Sequence, residues 1–183
     1  MDKPSLSALQ NIQSGDRELR YEGFIKLQAT TNSRVDWAYE AWDDLMSDLT
    51  HSDNHRRAIA TQLLCNLAKS DPEQRMLRDF PRILTVTKDE RFVTARHTLQ
   101  ALWKVGIVSP VYQELVMKGF EERYIESIDE KNYTLIRYDI IQGIKTMYDE
   151  VMDPSIKEKA LELIAKEEDP KYKKKYQTVW KNV

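Results

Sequence analysis

The chain has 183 residues, of which 41% are hydrophobic and 32% are charged, and its formal net charge is −2 at pH 7. This length and composition are typical of one folded domain with a sizeable core, and they exclude disorder of the whole chain. The near balance of charge gives no overall attraction to nucleic acid or to an anionic membrane, so binding of either kind would need a local basic patch.

Glycine and cysteine are both scarce. The five glycines include no G-x-x-x-x-G-K or G-x-G-x-x-G spacing, which excludes the common nucleotide-binding loops, and so few glycines disfavour a β-rich chain with many tight turns. The single cysteine, Cys65, excludes an internal disulfide and a four-cysteine zinc site. No apolar run is long enough to span a bilayer, and the first residues lack the order of a signal peptide. We therefore expect an all-α, cytoplasmic protein with no membrane partner.

The first strongly amphipathic segment is SRVDWAYEAWDDLMSDLT, which begins at Ser33. Its apolar residues recur at steps of three and four, and this pattern predicts a helix over 34–49. Ser33 and Asp36 have the spacing of a capping box, so we expect them to begin this helix.

Four further helix starts share one device, which is a capping side chain followed by proline at the first helical position. They are Asp71-Pro72, where Gln74 would add the partner of a capping box, and Ser109-Pro110, Asp153-Pro154 and Asp169-Pro170. Helical periodicity without proline occupies about 15–30, 53–69, 90–107 and 131–150. Short connections between these segments predict four antiparallel helical hairpins. Their approximate bounds are 15–50, 52–88, 89–129 and 131–183, within a single domain over 1–183.

The hairpins show an internal repeat. The segment RRAIATQLLCNLAKSDP (56–72) aligns without gaps with TARHTLQALWKVGIVSP (94–110), and Gln142, Gly143, Ile144 and Met147 continue the pattern in a third copy. A two-helix unit of this length is the period of the HEAT and armadillo class. The chain resembles a short HEAT-repeat protein, most closely in DERFVTARHTLQALWKVG, where an acidic residue opens a helix and an arginine follows. The resemblance implies a right-handed α-α superhelix, or α-solenoid, and it implies no activity.

Two histidines flank an aspartate near the start of the second hairpin. His51, Asp53 and His55, with Asp48, could supply the ligands of a metal site. The alternative is that Ser52 or Asp53 caps the following helix, which explains the segment without a metal. We favour the cap, and we predict no metal, no cofactor and no catalytic residue.

Aromatic and charged positions outside the apolar stripes are the candidate contacts for a partner. Trp37 lies beside Glu40 and Asp44, and it could equally pack on the first helix. A basic stripe occurs in the next hairpin at Arg75, Arg78 and Arg82. If these helices line a concave surface, the groove would suit a charged peptide or protein.

The last predicted helix carries a basic cluster at Lys171, Lys173, Lys174 and Lys175, which could be a docking segment or the polar face of a capping helix. We expect a non-enzymatic scaffold or adaptor that binds a protein or peptide in its concave groove. The alternative is a DNA-binding protein related to HEAT-like alkylation-repair glycosylases. Trp37, Asp43 and the three arginines would then contact DNA, and the 171–175 lysines would bind phosphate. The sequence does not indicate the oligomeric state.

Overall fold

A computed structural model describes residues 1–181, and within them the chain forms helices and turns with no strand. The all-α prediction is therefore confirmed for these residues. The chain divides into two compact units, Met1–Ala101 and a second unit that begins at Leu102. The predicted fourth hairpin extends to 183, and its last two residues lie outside the described part of the chain.

The first unit contains six α-helices: α1 (Lys3–Ile12), α2 (Arg17–Thr31), α3 (Ala38–Asp48), α4 (Asn54–Leu67), α5 (Arg75–Thr85) and α6 (Phe92–Ala101). The second unit contains α7 (Trp103–Gly106), α8 (Pro110–Glu126), α9 (Tyr133–Val151), α10 (Pro154–Ala165) and α11 (Pro170–Val179). Short 3-10 turns occupy Ala68–Ser70, Val86–Lys88 and Ser127–Asp129. The sequence did not predict α1, and the helix expected over 90–107 is interrupted at Leu102.

Most of the predicted helix starts are confirmed. The side chains of Ser109, Asp153 and Asp169 accept backbone N–H groups of the helices that come after them, each of which has proline in its first turn. Asp53 does the same for α4 by accepting the N–H of His55 at 2.8 Å. These caps satisfy donors that have no partner within the helix.

Two helix starts were predicted wrongly. The helix expected from residue 34 begins at Ala38, and its N-cap residue Trp37 makes no side-chain capping bond, so the capping box of Ser33 and Asp36 does not form. Asp71 does cap, but α5 begins only at Arg75 because Gln74 takes a left-handed conformation with φ 55°. Asp71 reaches past this turn and accepts the N–H groups of Arg75 and Met76 at 2.9 Å and 2.8 Å.

In the first unit, α2, α4 and α6 lie side by side in one row and run in the same direction. Arg20 Nη1 contacts Asp53 at 2.9 Å near the start of α2 and α4, and Asn66 Nδ2 donates to Thr31 Oγ1 at 3.0 Å near their other ends. The hydroxyls of Thr61 and Thr98, 3.0 Å apart, join α4 to α6. Polar contacts at both ends of neighbouring helices fix their register.

Two arginine–aspartate contacts join successive helices of the row in the same way. Arg20 reaches from α2 to Asp53, and Arg57 reaches from α4 to Asp89 with two bonds of 2.6 Å and 2.8 Å. Both aspartates also accept a backbone N–H where the next helix starts, from His55 and from Arg91. We call the Arg20–Asp53 and Arg57–Asp89 contacts the Asp–Arg ladder. Each rung thus ties one helix to the residues at which the next helix starts.

A second row in the first unit consists of α3 and α5, which are also parallel. The indole of Trp42 in α3 bonds to Asp79 in α5, and Arg82 near the end of α5 donates to the carbonyl of Met46 near the end of α3. The apolar side chains between the rows, including Leu27, Leu64 and Phe80, are almost fully buried. Burial of these side chains is the main stabilising contribution to the unit.

The second unit is built around α9, which contacts α7, α8, α10 and α11. Its apolar side chains Ile140, Ile144 and Met147 are fully buried. Arg137 of α9 forms a buried ion pair with Glu167 at 2.9 Å, and its guanidinium lies 4.4 Å from the ring centre of Tyr124.

Candidate functional site

An open groove of about 780 Å³ crosses the outer face of α2, α4 and α6 in the first unit. Its walls come from the first turns of the three helices. The residues that define it are Arg17 and Tyr21 of α2, His55 and Ile59 of α4, and Val93 and His97 of α6. We call this surface the α2–α4–α6 groove.

Helical periodicity explains why these side chains share one surface. Arg17 and Tyr21, His55 and Ile59, and Val93 and His97 are each four residues apart, so each pair lies on one face of its helix. The residues at neighbouring positions, such as Arg57 and Thr61 of α4, make the polar contacts between helices instead. The groove is therefore presented by a row of helices whose register is fixed.

Two large apolar side chains of this groove are unusually exposed. Tyr21 and Val93 are each 64% exposed, although both lie on regular helices of a unit with an apolar core. Ile25, four residues after Tyr21 on α2, is also exposed. Exposed apolar side chains on one surface are typical of a region that contacts another molecule.

The groove carries charges of both signs. Arg17, Glu18 and Glu22 are exposed on α2, whereas Arg20 is held by Asp53. Burial acts to raise the pKa of Asp53, but the backbone N–H and ring of His55, together with Arg20, outweigh burial and lower that pKa below its ordinary value. Asp53 is therefore an anion at neutral pH that holds the groove wall in place.

The two histidines near this aspartate have different surroundings. His51 Nδ1 accepts the N–H of Asp53 at 3.0 Å, and Arg56 lies between His51 and Asp48, with its Nη2 2.6 Å from Asp48. His55 is exposed in the groove, with Nδ1 3.1 Å from Asp53. No group of three or more potential metal ligands occurs within residues 1–181. The structure confirms the predicted cap at Asp53.

The residues predicted to contact a partner do not line this groove. Glu40, Asp44, Arg78 and Arg82 lie on α3 and α5, in the other row of helices. Of the two alternatives for Trp37, the structure disfavours the exposed anchor, because this residue is only 5% exposed and belongs to the core. The same burial removes the aromatic member of the set that would have contacted DNA.

Arg75, the third member of the basic stripe, contacts neighbouring side chains of the first unit. Its guanidinium lies 3.8 Å from the ring centre of Tyr39, 3.1 Å from Glu73 and 3.9 Å from Asp43. The stripe is therefore in contact with the acidic helix beside it. A role for these residues in binding stays a prediction.

The lysine cluster lies on α11, where Tyr176 and Trp180 face the core of the second unit. Lys171, Lys174 and Lys175 are exposed, Lys173 is half-buried, and the Nζ of Lys175 lies 4.5 Å from the ring centre of Tyr138. The polar face of a packed helix explains this arrangement, and docking through the lysines stays a prediction.

The α2–α4–α6 groove was not among the predicted sites, because the candidate contacts were chosen beside the apolar stripe of 34–49 and in the hairpin that follows it. A signal for the groove was nevertheless present, since Tyr21 stands off the face of α2 that carries the buried residues Gly23, Leu27 and Thr31. An aromatic residue away from a buried face is the same kind of signal that Trp37 was expected to be. Val93 could be recognised only once the bounds of α6 were known.

No helix within residues 1–181 is both long and apolar enough to cross a membrane. No family model matches the chain, and no curated protein matches it.

Proposed function

We propose that this protein is a non-enzymatic scaffold or adaptor of the HEAT-repeat type, which binds a protein or peptide in the α2–α4–α6 groove. The observation that carries the proposal is the exposure of Tyr21 and Val93 on two walls of one groove. Burying a large apolar side chain against a partner contributes about 1.5–3 kcal/mol. Two such side chains, held by helices of fixed register, would provide the apolar centre of a binding site.

The preorganisation of the groove supports this function. Binding costs less free energy when the receptor does not have to order its own side chains and helices. The Asp–Arg ladder and the contact between Thr61 and Thr98 hold the three helices together before any partner arrives. A rigid wall with exposed apolar side chains is the arrangement expected of a peptide receptor.

The chemistry of the groove indicates the kind of segment that fits it. An apolar or aromatic side chain would lie between Tyr21 and Val93, over Ile59. The amide side chains of Asn54 and Gln62 also line the groove and can bond to a peptide backbone. Because charged residues of α2 surround this centre, we propose a partner with both apolar and charged residues.

The proposal also covers the arrangement of the helices as an α-solenoid. Parallel rows of helices, joined by repeated contacts at equivalent positions, are what an α-solenoid requires, because one hairpin cannot bury its apolar face alone. We therefore infer a right-handed α-α superhelix of HEAT-like hairpins, acting in the cytoplasm.

Selection from a displayed library of random peptides, followed by affinity measurement on the purified protein, tests this function. The double variant Tyr21→Ser/Val93→Ser should lose at least about 10-fold in affinity for the selected peptides, since it removes both apolar contacts. Val111→Ser is a matched control because Val111 is similarly exposed but lies in the second unit. Peptides that bind the wild type and the double variant equally well would place the site elsewhere.

A further inference from the structure

The α3 and α5 helices present exposed faces of opposite charge. Glu40, Asp43 and Asp44 are exposed along α3, and Arg78 and Arg82 are exposed along α5. The side chain of Asp43 is 81% exposed and that of Arg78 is 71% exposed. Leu77 and Pro81 add exposed apolar surface on α5. This face is separate from the α2–α4–α6 groove, so an interaction here is independent of the proposed function.

The two helices lie in a fixed register. Trp42 contacts Asp79, and Met46 contacts Arg82, so a residue of α3 lies at the height of the residue 36 or 37 positions later in α5. Glu40 is therefore level with Met76 and Leu77, and Asp44 is level with Phe80 and Pro81, next to Arg82. The acidic residues 40–44 and the basic residues 78–82 form two parallel stripes that each extend about 6 Å along an 11-residue helix.

Contacts within the molecule leave part of this charge unpaired. Arg75 lies 3.9 Å from Asp43, and Arg78 holds the nearly buried Asp79 at 2.8 Å. In the described residues, however, Asp44 forms no hydrogen bond or ion pair, and Arg82 contacts a carbonyl oxygen but no carboxylate. An exposed anion and an exposed cation thus remain within two residues of the same height on neighbouring helices.

We propose that this face binds a second copy of the chain, which forms a symmetric dimer through the acidic and basic stripes. A two-fold axis that runs between α3 and α5, parallel to both, keeps heights unchanged and exchanges the two helices. It places Asp44 of each copy opposite Pro81 of the other, next to Arg82. An axis that crosses the helices would instead place acid on acid, so the charge pattern selects the first arrangement.

The dimer is weak and sensitive to salt. Two helices side by side cover only about 20 Å by 16 Å, well below the roughly 800 Å² that each partner contributes to a standard interface. Attraction between exposed charges is screened at a distance of about 8 Å in physiological salt. The association is therefore expected to be strongest at low ionic strength and to disappear in concentrated salt.

Analytical ultracentrifugation of charge-reversal variants tests this arrangement. The variant Asp44→Lys/Ser47→Lys reverses the charge at the Asp44 end of the acidic stripe. The variant Pro81→Glu/Arg82→Glu reverses the charge at the Arg82 end of the basic stripe, and it leaves the contact between Arg78 and Asp79 intact. Each variant alone should be monomeric at low salt, where the wild type dimerises. An equal mixture of the two should recover a dimer, because both contacts then join unlike charges.

Circular dichroism should show wild-type helix content in both variants, and Glu114→Lys/Glu158→Lys serves as a control that adds positive charge to the second unit. The control should dimerise as the wild type does. A wild type that stays monomeric at low salt, a variant that still dimerises alone, or a mixture that stays monomeric would each overturn the proposal.

Discussion

The indole N–H of Trp42 donates to the carboxylate of Asp79 at 2.9 Å, and both residues are buried in the first unit. This bond joins α3 to α5. Because the indole of Trp42 is buried, loss of the bond would leave its N–H without a partner. A buried unsatisfied group costs about 1–3 kcal/mol. The pair therefore fixes the register of the row as well as filling the core.

We expect Asp79→Ala to lower the free energy of unfolding by about 2–4 kcal/mol, since it leaves the Trp42 N–H unpaired and removes an acceptor from Arg78. Asp79→Asn should lose less because its amide oxygen can still accept from Trp42. Urea denaturation followed by circular dichroism measures both. Asp43→Asn, on an exposed side chain of the neighbouring helix, is the control, and equal losses for Asp79→Ala and this control would contradict the role of the buried bond.

The Asp–Arg ladder predicts a pH dependence of stability. Burial acts to raise the pKa of Asp89, but the bonds from Arg57 and from the N–H of Arg91 outweigh it and lower the pKa. The folded pKa of Asp89 thus lies below the unfolded pKa of about 3.9. Its contribution is fully present above the unfolded pKa and is lost as the pH falls through the folded pKa.

Thermal unfolding between about pH 7 and about pH 2 checks this sign. We expect Arg57→Met to lower the melting temperature at neutral pH and to have a smaller effect as the pH falls, because protonation of Asp89 removes the charge with which Arg57 pairs. The two melting curves should therefore converge in acid. A constant difference between wild type and variant across the whole range would show that Arg57 acts through packing alone.

The backbone conformation of Met152 leads us to predict a stabilising substitution. It takes a left-handed conformation with φ 56° at the end of α9, and its side chain is 65% exposed. Such a conformation costs a residue with a Cβ roughly 1–2 kcal/mol, and glycine avoids that cost. We expect Met152→Gly to raise the free energy of unfolding by about 0.5–1 kcal/mol after the greater chain entropy of glycine is subtracted. Met152→Ala, which keeps the Cβ, should give no such gain in the same denaturation experiment.

Two buried tyrosines of the second unit should respond differently to loss of the hydroxyl group. Among residues 1–181, the hydroxyl of Tyr124 is buried without a hydrogen-bond partner, and burial raises its pKa. The hydroxyl of Tyr176 donates to the carbonyl of Thr134 at 2.8 Å. We expect Tyr124→Phe to be neutral or stabilising and Tyr176→Phe to cost about 0.5–1.5 kcal/mol. Denaturant titration of the two variants side by side measures the difference, and an equal loss in both would contradict it.

The sequence predicted those parts of the fold that depend on local chemistry. The caps at Asp53, Ser109, Asp153 and Asp169 were found because a short polar side chain before a helix has few alternative uses. The start of α5 was misplaced because nothing local reveals that Gln74 turns left-handed and that Asp71 caps across that turn. Local patterns also could not show where helix 90–107 is interrupted.

The site was harder to predict than the fold. Trp37 and Trp42 lie within one turn and a half of each other, and the sequence does not reveal which aromatic side chain another helix will cover; the structure buries both. The groove depends on which faces of α2, α4 and α6 remain uncovered, and that is decided by contacts between residues more than 30 positions apart, such as Arg20 and Asp53. Those contacts have no signature within a single helix.

The Asp–Arg ladder has a consequence for how the first unit opens. Each rung forms only while both of the helices that it joins are folded, so the free energies of neighbouring repeats are coupled along the chain. Loss of α2 would remove the contact between Arg20 and Asp53 and so destabilise the start of α4. Unfolding of α4 would in turn remove the contact between Arg57 and Asp89 at the start of α6. Amide hydrogen exchange in this unit should therefore spread from helix to helix as a sequence of small openings rather than one global event.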